Sequence, residues 1–162
     1  MTLSGSCMCG EIAYSSSSEF HAYRNFNFTQ LSPNTKYHTG KPKVTALCHC
    51  VDCQKWTGSA YTSNAVVPED SFQVTKGEAK WYDTIGESGG KNRHFFCSNC
   101  GSSLYGKLDI MRGDIVIKAG SLDNGATHLN GNIGVEFYCK DRVGFVAQRE
   151  EAKQLPRFIG SS

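Results

Sequence analysis

Seven of the eight cysteines fall into three tight clusters. Cys7-Met-Cys9 is followed by Gly10. Cys48-His-Cys50-Val-Asp-Cys53 joins a C-x-C to a C-x-x-C, and Cys97-Ser-Asn-Cys100 is followed by Gly101. Close pairs let two thiolates face one metal ion from a single turn, and a following glycine lets backbone amides approach the sulfurs. Thiolate-rich donor sets select zinc over magnesium or calcium. One closed tetrahedral site takes four thiolates, which leaves three. If Cys7, Cys9, Cys97 and Cys100 close one site, Cys48, Cys50 and Cys53 hold a second zinc with an open position, the feature that separates catalytic from structural zinc. On spacing alone a zinc ribbon of Cys50, Cys53, Cys97 and Cys100 is the alternative; it leaves Cys7, Cys9 and Cys48 without a role.

An open site of three thiolates is electron-rich, so its Lewis acidity is modest. That favours binding or releasing a sulfur over strong activation of water. Lys55 and Tyr61, close in sequence to the middle cluster, are candidates for steering a carboxylate and lining a pocket, as are Ser63 and Asn64. Each has an ordinary alternative as a solvated lysine or a strand residue. His49, between two ligands, is expected to point away from the metal, and Asp52 to cap a helix or turn. Asp123 fits a turn. Cys139 reads as a buried strand cysteine, with completion of the second zinc as its alternative. His21, His38, His94 and His128 show no ligand spacing, and any one of them could supply a fourth ligand.

The elements that must position these groups are mostly strands. Short runs rich in Val, Ile, Tyr, Phe and Thr, bounded by Gly, Asn, Asp or Ser, predict strands over Glu11–Tyr14, Val44–Leu47, Ala60–Val67, Phe72–Thr75, Ala79–Tyr82, Arg93–Phe96, Ser103–Tyr105, Asp114–Ala119 and Val135–Cys139. Only Asp52–Trp56 and Arg149–Gln154 read as short helical pieces. Gly86–Asn92 reads as a mobile loop. Within residues 15–43, Phe20, Tyr23, Phe26, Phe28 and Tyr37 stand among polar residues. They predict an ordered insert packed on the domain, serving as a roof over the open zinc, a surface decoration or a dimer contact.

The chain of 162 residues is the size of one compact domain, expected over 1–162. Its mean hydropathy of −0.39 is that of an ordinary soluble protein. A net charge of +2 leaves no basic stripe for duplex DNA or an anionic membrane, so nucleic acid is not an expected partner. Apolar runs are a few residues long, far below the roughly 20 of a membrane span. The start, Met1-Thr-Leu-Ser-Gly-Ser-Cys7, lacks the features of a signal peptide, so a cytoplasmic location is expected. A reducing compartment does not favour an all-disulfide scaffold, and the spacing argues against one.

Five segments occur in the order found in one family: Gly5-Ser-Cys-Met-Cys-Gly10, Cys48-His-Cys-Val-Asp-Cys-Gln-Lys55, Thr57-Gly-Ser-Ala-Tyr61, Phe95-Phe-Cys-Ser-Asn-Cys-Gly-Ser102 and Ala119-Gly-Ser-Leu-Asp123. Together they resemble the glutathione-dependent formaldehyde-activating enzymes and their relatives, which include centromere protein V, over roughly residues 4–125. The resemblance implies a mainly β, β-tent zinc fold and the four-plus-three partition of the cysteines. It also implies carbon–sulfur lyase chemistry interconverting S-hydroxymethylglutathione with glutathione and formaldehyde. Three departures stand out: the long connection from Cys9 to Cys48, Gln54 where the family commonly has Arg, and Gly144-Phe145 where a tryptophan is expected. These leave the fold intact and point to a substrate other than glutathione itself.

The expectation is therefore a lyase or thiol-adduct enzyme with two zinc ions per chain and glutathione as a candidate cosubstrate. Its partner is a small-molecule thiol, thioether or aldehyde, and a homodimer stays open. The alternatives are a zinc enzyme polarising an oxygen group of a sulfur-free metabolite and a non-catalytic zinc-stabilised binding module.

Overall fold

The computed structural model describes residues 2–17, 42–129 and 132–158. The aromatics expected to form an insert (Phe20, Tyr23, Phe26, Phe28, Tyr37) lie outside the described residues, as do His21 and His38. The described chain is mainly β. Strands β1 (Leu3–Ser6), β2 (Ala13–Ser16) and β5 (Phe72–Lys76) form an antiparallel sheet in the order β1-β2-β5. The larger sheet holds β3 (Val44–Cys48), β4 (Thr62–Pro68), β6 (Lys80–Ile85), β7 (Lys91–Phe96), β8 (Ser103–Leu108), β9 (Asp114–Lys118), β10 (Val135–Phe137) and β11 (Lys153–Leu155). Its order is β11-β10-β3-β4-β9-β8-β7-β6. Pairing is antiparallel from β3 to β6 and parallel where β10 lies between β3 and β11. Among the described residues the one α-helix is α1 (Val51–Thr57). No helix among them is long and apolar enough to cross a membrane.

The registers show how the large sheet divides its work. Val44, Val66, Val116, Gly106 and His94 face one another in a single row across β3, β4, β9, β8 and β7, so they share one face. The next row is Ala46, Asn64 and Lys118. Side chains alternate along a strand, so Ala65, Val67, Ile115, Ile117 and Tyr105 project from the opposite face. There they form the main core with Leu3, Ile12 and Tyr14 of the small sheet. Every residue of β9 is buried because both of its faces are used. Aromatic rings fill the space between the sheets: Phe95 stacks on Tyr105 at 4.5 Å, Tyr105 meets Phe72 at 4.8 Å, and Phe72 meets Tyr14 at 5.3 Å.

Seven of the nine expected strands keep their places, with ends that differ by a few residues. The expected strand Glu11–Tyr14 starts later, at Ala13, because residues 7–12 are taken up by a turn in which the Cys7 amide donates to the Ile12 carbonyl. Val135–Cys139 ends at Phe137, where Tyr138 turns into the left-handed region at φ 57° and Cys139 opens a 3-10 turn. Two strands were not legible: β1, whose glycine and serines carry little strand signal, and β11, which lies where Arg149–Gln154 had read as helical. The β11 segment is polar and is strand only because β10 offers it a parallel edge. Where a mobile loop was expected over Gly86–Asn92, residues 86–90 form a tight hairpin turn, closed by the Gly86 amide on the Gly90 carbonyl and the Gly89 amide on the Gly86 carbonyl, and β7 already begins at Lys91.

A buried polar hub locks β10 to the middle cysteine cluster. His49 and Glu136 are both fully buried, with His49 Nε2 2.7 Å from Glu136 Oε2. The same carboxylate accepts from Arg142 Nη2 at 2.9 Å, from the Arg149 amide at 2.5 Å and from Gln154 Nε2 at 3.2 Å. Burial alone would raise the Glu136 carboxyl, but these donors outweigh it and hold it down at about 2. His49 thus points away from the sulfurs, as its position between two ligands implied.

Two substitutions test these supports. The Gly5 Cα lies so close to the Tyr14 ring that an added Cβ would overlap it, and it would stand 2.6 Å from the Ser121 carbonyl. The Tyr14 hydroxyl also contacts Ser121 Oγ at 2.6 Å. Gly5→Ala should therefore destabilise the protein by about 2 kcal/mol or more, read as a lowered urea midpoint. Glu136→Gln should cost about 2–3 kcal/mol, somewhat below a fully buried ion pair because Arg142 remains 15% exposed. The Glu136 carboxyl is depressed from its ordinary 4.5, so its contribution is whole above that pH and is lost as pH falls through about 2. The stability gap between wild type and Glu136→Gln should accordingly stay constant from pH 7 to 5 and narrow below 4.5.

Candidate metal centres and the cleft between strands

Two turns bring the first four sulfurs together. After β1 the chain reverses through Cys7–Gly10, where the Gly10 amide donates to the Cys7 carbonyl at 3.0 Å and the Ile12 amide to Cys7 Sγ at 3.2 Å. Between β7 and β8 the second turn repeats this plan: the Gly101 amide donates to the Cys97 carbonyl at 2.8 Å. Gly10 and Gly101 both have φ near 73°, a conformation costly for residues with a Cβ, which accounts for a glycine after each pair. The turns are joined by the Met8 amide on Ser102 Oγ at 3.0 Å and by Asn99 Nδ2 on Glu11 Oε1 at 2.8 Å. The Sγ atoms of Cys7, Cys9, Cys97 and Cys100 all lie within 4.8 Å of one another. Cys7 to Cys9 is 3.4 Å and Cys9 to Cys97 is 3.8 Å. A tetrahedral zinc with bonds of about 2.3 Å sets its sulfurs about 3.8 Å apart, so this donor set fits zinc. Hydrogen bonds from the Ser102 hydroxyl and amide hold the Cys100 thiol down at about 5.

The second group forms where β3 runs into α1. The Sγ atoms of Cys48, Cys50 and Cys53 also lie within 4.8 Å of one another, with Cys48 and Cys50 3.5 Å apart. Cys50 itself caps the helix, its sulfur accepting from the Cys53 amide at 3.4 Å; the cap expected of Asp52 is therefore a cysteine, and Asp52 lies in the first turn. Gln54 donates from Nε2 to the His49 carbonyl at 2.7 Å and to the Asp141 carbonyl at 3.3 Å, tying helix and loop together. The ribbon pairing of Cys50 and Cys53 with Cys97 and Cys100 is not formed. Cys139 does not join the group: its thiol lies 3.3 Å from the Glu136 carbonyl and 3.3 Å from Gln154 Oε1. Among the described residues no fourth His, Cys, Asp or Glu atom completes this set. Three sulfurs that no described residue completes fit a zinc ion that keeps one position for a ligand.

These sulfurs line one end of a cleft of about 440 Å³ over the second face of the large sheet. Its floor is the row Val44, Val66 and Val116 together with Ala46, Asn64 and Lys118. Ala46, Val66, Val116, Asn64 and Lys118 are each under a tenth exposed. Lys118 Nζ donates to Asn64 Oδ1 at 3.0 Å, and Asn64 Nδ2 donates to Thr62 Oγ1 at 2.8 Å. Hydrogen bonds from the Cys48 and Cys50 thiols, aided against burial by the charge of Lys118 and the Thr62 hydroxyl, hold the Cys53 thiol well below its usual value. His94 also lines the cleft. Its ring packs 4.7 Å from Trp56, its Nε2 is 3.3 Å from Thr84 Oγ1, and burial lowers its pKa.

Of the other residues singled out in the sequence, Asn64 lines the cleft. Ser63, one position along, faces away. Lys55 is exposed on α1, and Tyr61 packs 5.6 Å from the His49 ring; neither lines the cleft. Asp123 sits in a turn, where it accepts from Ser6 Oγ at 3.2 Å. Phe145 is 83% exposed. Lys118 and Glu136 were not anticipated. Lys118 ends the strand Asp-Ile-Val-Ile-Lys, and nothing local marks that terminal lysine as buried.

Comparison with known proteins agrees with the cysteine pattern. Residues 34–141, about two thirds of the chain, match the family described as glutathione-dependent formaldehyde-activating enzyme. A Fusarium vanettenii protein named for that same activity is 36% identical over 62 residues, 38% of this chain. The match spans 32% of that relative's length. A crystal structure of a Rhodobacter sphaeroides protein aligns with 74% of this chain and 87% of its own at 16% identity and a TM-score of 0.47. By the extent of the family match, this chain belongs to the glutathione-dependent formaldehyde-activating enzyme family.

Proposed function

We propose that the protein is a zinc-dependent carbon–sulfur lyase, or a related thiol-adduct enzyme, acting on a small molecule in a cytoplasmic setting. The observation that carries this reading is the set of three sulfurs that no fourth donor among the described residues completes, opening onto a cleft that also holds a buried lysine. Cys7, Cys9, Cys97 and Cys100 would hold a structural zinc, and Cys48, Cys50 and Cys53 a second. A zinc ion held by three thiolates supplies an electron-rich centre that accepts a sulfur ligand more readily than it activates water.

The chain's own residues do the rest. In the lyase direction a hemithioacetal loses its hydroxyl proton while the carbon–sulfur bond breaks. The oxygen becomes an aldehyde carbonyl, the electron pair leaves with sulfur, and a proton returns to give the thiol. Lys118, held by Asn64, places its positive charge at the sulfur end of the cleft, where it opposes the charge of a departing thiolate. The apolar floor excludes water and so strengthens that interaction. The His49–Glu136 contact and the two Gln54 hydrogen bonds hold the Cys48–Cys53 loop in place from behind.

Protein purified under reducing conditions should contain two zinc ions per chain by atomic emission. Cys53→Ser should lower this to one, leave the far-ultraviolet dichroism unchanged, and reduce thiol–aldehyde exchange measured by NMR at least about 100-fold. Cys97→Ser should instead lower stability broadly. Full exchange activity in Cys53→Ser would rule out the lyase reading.

A further inference from the structure

The walls of the cleft say which substrates that site takes. Strand alternation places Val44, Ala46, Val66 and Val116 side by side on its floor. Val51 at 53%, Ile85 at 67% and Ile110 at 37%, three of the eight large apolar side chains exposed among the described residues, border this cleft. Of the charged groups around it, several are engaged in pairs, and Asp52, in the first turn of α1, stands outside those pairs. Lys140 pairs with Asp141 at 3.1 Å, and Glu87 pairs with Arg157. Lys118 is held by Asn64 at the sulfur end.

The geometry points to a substrate with an uncharged apolar body, an alkyl chain or a single ring, attached to the reacting thiol or aldehyde carbon. This inference rests on the thiol-adduct reading above and narrows it. A glutathione adduct carries two carboxylates and an ammonium group. Laid along this floor, those charges would lose their water and meet valines. An alkyl chain in the same place buries apolar area on both partners. The single cation of the floor stands beside the sulfurs, where it serves the reacting atoms and is not positioned to receive the far end of a peptide.

The test is a titration of cobalt-loaded protein with straight-chain thiols from ethanethiol to hexanethiol, and with glutathione, followed by the sulfur-to-cobalt absorption band. Apparent affinity should rise about four-fold per methylene, and glutathione should bind at least about ten-fold more weakly than hexanethiol. Val116→Thr on the floor and Ile110→Ser on the exposed rim should each weaken hexanethiol about three-fold and leave ethanethiol unchanged. A flat series with glutathione tightest overturns the inference, as does hexanethiol binding indifferent to both substitutions. Displacement of an environment-sensitive apolar dye by primary alcohols of the same lengths separates the two readings. If no thiol alters the cobalt band but alcohols still gain with length, the thiol-adduct function falls and the apolar cleft stands. If neither series depends on length, the apolar cleft falls.

Discussion

Side-chain alternation across β3, β4 and β9 is the constraint on which the rest of the molecule depends. β4 and β9 are almost wholly buried and β3 in part, yet they bury two different things. One face supplies Ala65, Val67, Ile115 and Ile117 to the core beneath the small sheet. The other supplies Val44, Val66, Val116, Asn64 and Lys118 to the cleft. A slip of one residue in the pairing of β4 with β9 would send Lys118 into the aromatic core and Ile117 into the cleft. The position of the chemistry and the integrity of the core are therefore fixed by the same hydrogen-bond register.

The cysteine groups are built on different principles. The four-sulfur group depends on two glycine-closed turns that present amides to sulfur, and it joins the small sheet to the β7–β8 end of the large one. The three-sulfur group sits at the end of a strand and the start of a helix. Its backbone is braced from behind by Glu136, reached through His49, and by Gln54. Glu136 costs desolvation, and four donors offset that cost. Gln54 suits this place because one side-chain amide reaches two carbonyls on different segments.

Much of the fold was legible because strands such as Thr62–Pro68 and Asp114–Lys118 carry β-branched residues, whose preference is local. The short helix after the middle cluster was legible too, although its cap was misread: a thiol that serves as a metal donor can also accept an amide hydrogen bond. Leu3–Ser6 and Lys153–Leu155 were missed because their strand state comes from a neighbouring edge and not from their own residues. Glu136 and Lys118 were invisible as site residues. A glutamate in a three-residue strand or a lysine at a strand end has no distinguishing local pattern, and burial decides its role.

By itself the sequence determined the chemistry on offer: three cysteine clusters whose spacing sets which sulfurs can share a turn, and glycines that permit the turns. It also carried the family pattern, because that pattern is written in short contiguous motifs. Only the tertiary structure decided which clusters meet, since Cys9 and Cys97 are brought within 3.8 Å by the packing of the small sheet against the large one. It likewise decided that the three remaining sulfurs face a cleft with an apolar floor and one buried lysine. Which face of a strand meets solvent, core or cleft depends on what packs against it, and no local spacing encodes that.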